Sequence, residues 1–147
     1  MYNALDVSKW FLYYNNIFIN EYDADLITNL KLQKLLYYAQ GCYLAINDKP
    51  LFKESIEAWT HGPVVRDVYN HYKKNQSRGI EYIGDYNGCI NSDDEKILKE
   101  VYDIFAKYSA WGLRNMTHDE RPWKETEKGK EIKQNLIKDY FKENYIA

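Results

Sequence analysis

The apolar residues of this 147-residue chain recur mostly at steps of three and four, the spacing that places side chains on one face of an α-helix. One such stripe runs from Val7 to Phe18, and Asn3 precedes it as the expected N-cap. A second helix is predicted from its N-cap Thr28 to about Ile46, with leucines on its buried face. Further helices are expected over 63–72, 92–108, 109–116 and 128–144, with Ser92 and Ser109 as the caps of the second and third of these. The pattern therefore predicts a mainly α fold, a compact helical bundle of about five to six helices.

Two short segments suit β-structure instead. Residues 56–59 and 80–83 carry β-branched and aromatic side chains, and we expect them to pair as a small two-stranded ribbon. No repeat, low-complexity tract or linker divides the chain, and its length suits one hydrophobic core. We therefore expect residues 1–147 to form a single domain.

Two glycines carry structural expectations of their own. Gly41 lies inside the second predicted helix, where glycine costs about 0.5–1 kcal/mol relative to alanine, so we expect another backbone to approach it closely. Gly62 precedes Pro63, and proline suits the first position of a helix because its φ angle is preset. The pair therefore predicts that a third helix begins here.

A helix beginning at Pro63 would place free backbone N–H groups beside His61 and Arg66. Such a helix end attracts anions, so one hypothesis is that these groups hold an acidic group of a partner. The alternative is that Gly62 and Pro63 only set the chain direction while His61 bonds within the fold. The second interpretation is the commoner outcome for such a sequence.

Composition narrows the classes of function. The chain has 20 Lys and Arg against 22 Asp and Glu, a net charge of −2. This charge creates no overall positive field that would attract nucleic acid, so we do not expect a general nucleic-acid binder. No apolar run approaches the roughly 20 residues of a membrane span, and the amino terminus lacks a signal-peptide pattern. We expect a cytoplasmic protein that does not bind membranes.

The sequence contains none of the common catalytic motifs that we considered. The three histidines, His61, His71 and His118, lack zinc-like spacing with one another or with a cysteine, and no phosphate-binding loop or nucleophile elbow appears. We expect no enzyme, no metal and no cofactor. A small hydrolase or transferase that uses His61 or His118 stays an alternative.

Candidate partner contacts come from the aromatic and polar residues around the second and third helices. Gln33, Lys34, Tyr37 and Tyr38 fall outside the leucine stripe, so they form either a solvated face or a contact surface, because tyrosine supplies interface area at low entropic cost. Trp123, after Pro122, either anchors a loop on the core or stands exposed as a binding residue. The full set of predicted partner-binding residues is Gln33, Lys34, Tyr37, Tyr38, Trp59, His61, Arg66, Tyr69 and Trp123.

Four motifs in a fixed order give the chain a resemblance to a known family. They lie at residues 32–40 (LQKLLYYAQ), 50–52 (PLF), 57–69 (EAW, then GPVV and VY) and 117–123 (TH, then PW). The chain resembles the Panacea-domain, SocA-like phage-associated antitoxins, with a resemblance that runs from about Asp6 to Phe141.

The resemblance implies a mostly helical antitoxin that binds and neutralises a cognate toxin protein. One branch of the family implies a further possibility, that the antitoxin delivers its toxin to the ClpXP protease. An alternative function is a phage-encoded interaction protein that acts on a host defence or regulatory factor without a paired toxin. The family pairs with unrelated toxins, so its toxin-facing surface need not coincide with its motifs.

Overall fold

The computed structural model describes residues 1–22 and 24–146, and within them the chain is mainly α-helical, as predicted. Its helices are α1 (Ala4–Tyr22), α2 (Asn29–Asn47), α3 (Arg66–Tyr72), α4 (Ser92–Phe105), α5 (Ala110–His118), α6 (Arg121–Lys124) and α7 (Gln134–Asn144). Its strands are β1 (Ile27–Thr28), β2 (Glu57–Trp59), β3 (Gly62–Val64) and β4 (Gly79–Ile80). The described chain thus has one more helix than expected, because the loop around Pro122 forms the short α6.

Helix α2 is the central element of the fold. It packs against α1, α3, α4, α5 and α7, and its side chains are buried around almost the whole circumference. A helix with five helical neighbours has little solvent face, which is why its apolar stripe understates its burial. Apolar residues from the surrounding helices join those of α2 in a continuous core.

Side-chain caps fix the beginnings of four helices. The Asn3 and Thr28 side chains accept hydrogen bonds from the backbone N–H groups of Asp6 (2.8 Å) and Lys31 (3.2 Å), as predicted. Ser109 caps α5, again as predicted. Helix α4 is capped by Asn91 instead of Ser92, so this cap prediction was wrong by one residue.

The last helix begins six residues later than its apolar pattern predicts. The preceding residues are extended and lie along strand β2, where the Ala58 N–H donates to the Lys130 carbonyl (2.9 Å) and the Ile132 N–H donates to the Ile56 carbonyl (2.7 Å). Ile132 is buried as expected, but in an extended segment. Pairing with a distant strand has overridden the local helical pattern.

The predicted ribbon has different partners. Strand β2 pairs with β3 in an antiparallel hairpin, with Glu57 opposite Val64 and Trp59 opposite Gly62. Strand β4 pairs with β1, with Ile80 opposite Ile27. The predicted pairing of 56–59 with 80–83 was therefore wrong.

Gly62 and Pro63 belong to that hairpin and do not begin a helix. Gly62 has φ +113°, a conformation that side-chain-bearing residues rarely adopt, and it follows the tight turn at Thr60 and His61. Helix α3 begins only at Arg66, after Val65. The predicted helix entrance was wrong because the glycine serves a β-turn, so no helix end at Pro63 supplies free N–H groups to an anion.

Gly41 does sit at a close contact, but the neighbour is a side chain. A Cβ atom at this position would lie 2.4 Å from ring carbons of Phe141 on α7. The expected approach of another backbone was therefore wrong, since an aromatic ring occupies the space. This contact explains why glycine is needed in the middle of α2.

Candidate partner-binding site

The predicted contact face of α2 is not at the surface. Gln33, Lys34, Tyr37 and Tyr38 are all buried, with at most 1% of each residue exposed. These four residues form neither a solvated face nor an exposed contact surface, because the neighbouring helices and the β2–β3 hairpin cover this part of α2. Each polar group on this helix needs a partner inside the protein.

Two glutamines of α2 supply hydrogen bonds to loop backbone. The Gln33 side chain accepts from the N–H of Val65 (2.9 Å), and the Gln40 side chain accepts from the N–H of Leu51 (2.7 Å). Gln40 also donates to the carbonyl of Phe52 (3.0 Å). These side chains replace the water that the loop backbone would otherwise bind. Gln33 thereby connects the 32–40 motif to the 57–69 motif, and Gln40 connects it to the 50–52 motif.

The two tyrosines converge on a buried carboxylate, Glu120. The Tyr37 hydroxyl donates to its Oε1 (2.9 Å) and the Tyr38 hydroxyl to its Oε2 (3.0 Å), while Tyr145 donates to the same Oε2. Burial raises the pKa of the Glu120 carboxyl, and the three donors oppose that rise. Burial likewise raises the pKa of the Tyr37 hydroxyl, with the Glu120 charge adding to it.

Lys34 is a buried amine on the same helix, and no carboxylate of the described residues pairs with it. Its Nζ donates to the carbonyl of Pro63 (3.2 Å), and its side chain lies directly beneath the hairpin turn. Burial, with the Arg114 charge as a smaller cause, lowers the pKa of the Lys34 amine to about 7.

A cavity of about 610 Å³ opens between the β2–β3 hairpin, α2 and α3. Its lining consists of Leu30, Gln33, Lys34, Trp59, Thr60, His61, Val64, Arg66, Tyr69, Gln76, Ser77, Lys128 and Gly129. Six of the nine predicted partner-binding residues are in this list. The fold therefore brings the α2 motif and the hairpin motif together around one cavity, whereas Tyr37 and Tyr38 lie away from it.

One wall of the cavity is an aromatic and charged cluster. The rings of Trp59 and Tyr69 meet edge to face with centroids 4.9 Å apart, and the Arg66 guanidinium lies 5.5 Å from the Trp59 ring. Glu57 pairs with Arg66 (2.8 Å) and accepts from the Trp59 indole N–H (3.0 Å). These hydrogen bonds, that of Arg66 first, lower the pKa of the Glu57 carboxyl.

Trp123 lies behind the cavity, where it anchors the hairpin. Its indole N–H donates to the Trp59 carbonyl (2.7 Å), and its ring stacks on His118 at 3.8 Å. The Nζ of the cavity residue Lys128 lies 3.7 Å from the centre of the Trp123 ring, a cation–π contact. Trp123 thus supports the site from within the fold, the first of the two alternatives raised by the sequence.

An exposed aromatic ledge continues from the cavity rim. The Arg114 guanidinium lies 4.2 Å from the Trp111 ring, and its Nε donates to Nδ1 of His61 (3.4 Å). Trp111 is 53% exposed, which is unusual for a tryptophan in a protein of this size. Its position on the exposed side of α5 gave no sequence signal, because the apolar stripe marks only the buried side.

The two histidines of the catalytic alternative differ in environment. His61 is exposed at the rim, while Nε2 of His118 is buried without a hydrogen-bond partner among the described residues. Burial, followed by the Arg114 charge, lowers the pKa of the His118 imidazole. Within residues 1–22 and 24–146, no group of three or more His, Cys, Asp or Glu side chains is arranged to hold a metal ion.

None of the described helices is at once long and apolar enough to cross a membrane. A helical scaffold, organised on one buried helix and carrying a cavity with an aromatic ledge, defines the class of a small, mainly α-helical protein. A family model described as antitoxin SocA-like, Panacea domain, matches residues 32–124. The chain belongs to this family, which confirms the resemblance seen in its motifs, although the matched region is shorter than the expected one.

A curated relative adds detail to that assignment. Antitoxin SocA of Caulobacter vibrioides (strain NA1000 / CB15N) is 46% identical over 67 residues, which make up 46% of this chain and 33% of the relative. The alignment thus spans about a third of the length of the relative. No solved structure matches this chain.

Proposed function

We propose that this protein is a cytoplasmic antitoxin that neutralises a cognate toxin protein by binding it. The observation that carries the proposal is the match of residues 32–124 to the SocA-like antitoxin family. The similarity to Antitoxin SocA of Caulobacter vibrioides supports it over part of the chain. The cavity and its aromatic ledge supply a surface on which a protein partner can be held.

The toxin-facing surface in this proposal consists of the cavity rim and the ledge, with His61, Arg66, Tyr69 and Trp111 as exposed or partly exposed contacts. Aromatic and arginine side chains grouped at a concave site are the residues that contribute most to protein association. Tyr37 and Tyr38 are outside this surface, since Glu120 and the core enclose them.

Co-expression with the reading frame next to the gene tests the proposal. The neighbouring protein alone is expected to arrest growth, and this chain is expected to restore growth and to co-purify with the neighbour. A neighbour that is harmless, or one whose toxicity this chain leaves unchanged, would contradict the proposal. Trp111→Ala serves as the matched surface variant, with Ile104→Ala as its control, because Ile104 is equally exposed at 52% on another helix.

The same cells distinguish two modes of neutralisation. If the antitoxin occludes the toxin, rescue persists in a host that lacks ClpXP and the toxin level stays constant. If the antitoxin delivers the toxin to ClpXP, rescue disappears in that host and the toxin accumulates. We propose direct binding as the common step, and the measured toxin half-life assigns the mode.

A further inference from the structure

The charge of the cavity lining is one-sided. Lys34, Arg66 and Lys128 contribute basic groups, and none of the described lining residues is Asp or Glu. The chain as a whole has a net charge of −2, so this is a local feature and not a consequence of composition. A concave site lined by one sign of charge attracts the opposite sign.

Lys34 at the floor of the cavity has unused donors. An ammonium group has three N–H donors, and the hydrogen bond of Lys34 to the Pro63 carbonyl uses one of them. The nearest charge that perturbs it is that of Arg114, which has the same sign. The protonated form of a buried amine is costly without a carboxylate beside it, and a carboxylate brought to the cavity by a partner would favour that form.

The basic groups differ in how far their charge is already compensated. Arg66 is paired with Glu57, so its charge is largely satisfied within the protein. Lys128 donates to the backbone carbonyls of Trp123 (3.1 Å) and Thr126 (2.9 Å) and lies over the Trp123 ring, but among the described residues it has no carboxylate partner. The uncompensated charges are therefore at the floor and on the Lys128 side of the rim.

The remaining lining is apolar and aromatic. Leu30, Val64, Trp59 and Tyr69 line the cavity, and its volume of about 610 Å³ exceeds what a single carboxylate group would fill. The exposed Trp111 ring extends this apolar surface beyond His61. An occupant therefore needs an apolar group beside its negative charge.

We propose that the cavity receives an acidic segment of the toxin, in which an Asp or Glu stands beside an aromatic residue. The carboxylate approaches Lys128 at the rim, above the buried Lys34, and the aromatic ring packs against Trp59 and Tyr69. The inference rests on the proposed function for the origin of the segment. The chemistry of the cavity itself can be tested without the toxin.

A matched pair of dipeptides provides that test. N-acetyl-Asp-Trp-amide and N-acetyl-Asn-Trp-amide differ only in the negative charge, and binding of each is followed through the indole N–H resonance of Trp59 in NMR spectra. The acidic peptide is expected to shift this resonance and to bind at least about tenfold more tightly, a difference that narrows as salt screens the charges. Equal affinity for the two peptides, or no shift with either, overturns the proposal.

The second test uses the toxin with charge-neutralising variants. Lys128→Gln is expected to raise the Kd for the toxin about tenfold because it removes an accessible cation, and Lys34→Met is expected to raise it by less because Lys34 is buried beneath the floor. Lys130→Gln is the matched control, since Lys130 is exposed two residues away and does not line the cavity. Circular dichroism verifies folding, and the exposed Lys128 keeps the test valid if Lys34→Met fails to fold.

The outcomes separate the two proposals. If the wild-type protein neutralises the toxin but Lys128→Gln and Lys34→Met bind it as tightly as wild type, the acidic-segment proposal is overturned and the antitoxin function stands. If the wild-type protein does not neutralise the neighbouring protein, the antitoxin proposal fails. The dipeptide pair then decides the chemistry of the cavity by itself.

Discussion

Replacing Lys34 by methionine should change how stability depends on pH. Methionine is similar in length and volume, fits the same buried space and carries no charge. In the wild-type protein, burial lowers the pKa of the Lys34 amine from its ordinary value of 10.5 to about 7. Between these two values the unfolded chain holds a proton that the folded chain has released.

The direction and size of the effect follow from that difference in bound protons. Because the unfolded state binds the extra proton, the free energy of unfolding of the wild type rises with pH in this window, by about 1.4 kcal/mol per pH unit for one group. Lys34→Met lacks this contribution. The variant is therefore expected to be more stable than wild type at pH 7, and its advantage should shrink by about 2–3 kcal/mol up to pH 9.

Denaturant unfolding followed by tryptophan fluorescence at pH 7, 8 and 9 measures this difference. Taking the difference between variant and wild type cancels the titration of other groups, such as Cys42, whose thiol pKa burial raises to about 12. Lys130→Met on the exposed surface is the control and should give a difference that does not vary with pH. A constant difference for Lys34→Met would refute the assignment of an uncompensated, buried amine.

Three further substitutions test the packing that surrounds the site, each by denaturant unfolding. Gly41→Ala should destabilise the protein by about 1–3 kcal/mol despite the better helix propensity of alanine, and adding Phe141→Leu should recover part of the loss, whereas no loss would contradict the ring contact. Glu120→Ala should cost about 2–4 kcal/mol because three tyrosine hydroxyls lose their acceptor, and a cost no larger than that of the exposed Glu143→Ala would contradict the network. Gln40→Leu should cost about 2–3 kcal/mol through unpaired loop backbone, and a neutral result would show that water replaces the amide.

Helices α1, α2 and α5 were predictable because the signals at their beginnings are local. Caps such as Thr28 and Ser109 act on residues three positions away, so the sequence contains both members of each interaction. The hairpin was not predictable in this way, since Gly62 before Pro63 suits a helix start as well as a β-turn. Only the positive φ of Gly62, imposed by pairing with Trp59, separates the two.

The burial of α2 was missed for a related reason. Amphipathic reasoning assigns polar residues to the solvent, but Gln33 bonds Val65 and Tyr37 bonds Glu120, partners 32 and 83 residues away. No window of the sequence contains such a pair. The sequence predicted part of the cavity lining, because two of the motifs contain most of the candidate residues. It did not predict Lys128, which comes to the rim because the segment that follows it pairs with β2.

The positions of these residues suggest how one scaffold can serve different partners. The motif residues Gln33, Tyr37 and Gln40 face inward and hold loops, so changing them should damage the fold before it changes recognition. Trp111 is exposed, and Lys128 lies beyond the region that matches the family. Since surface substitutions usually alter the free energy of unfolding by less than about 0.5 kcal/mol, the residues at these positions can change without loss of the fold. Partner choice should therefore reside at the rim and the ledge, while the buried motif preserves the architecture that supports them.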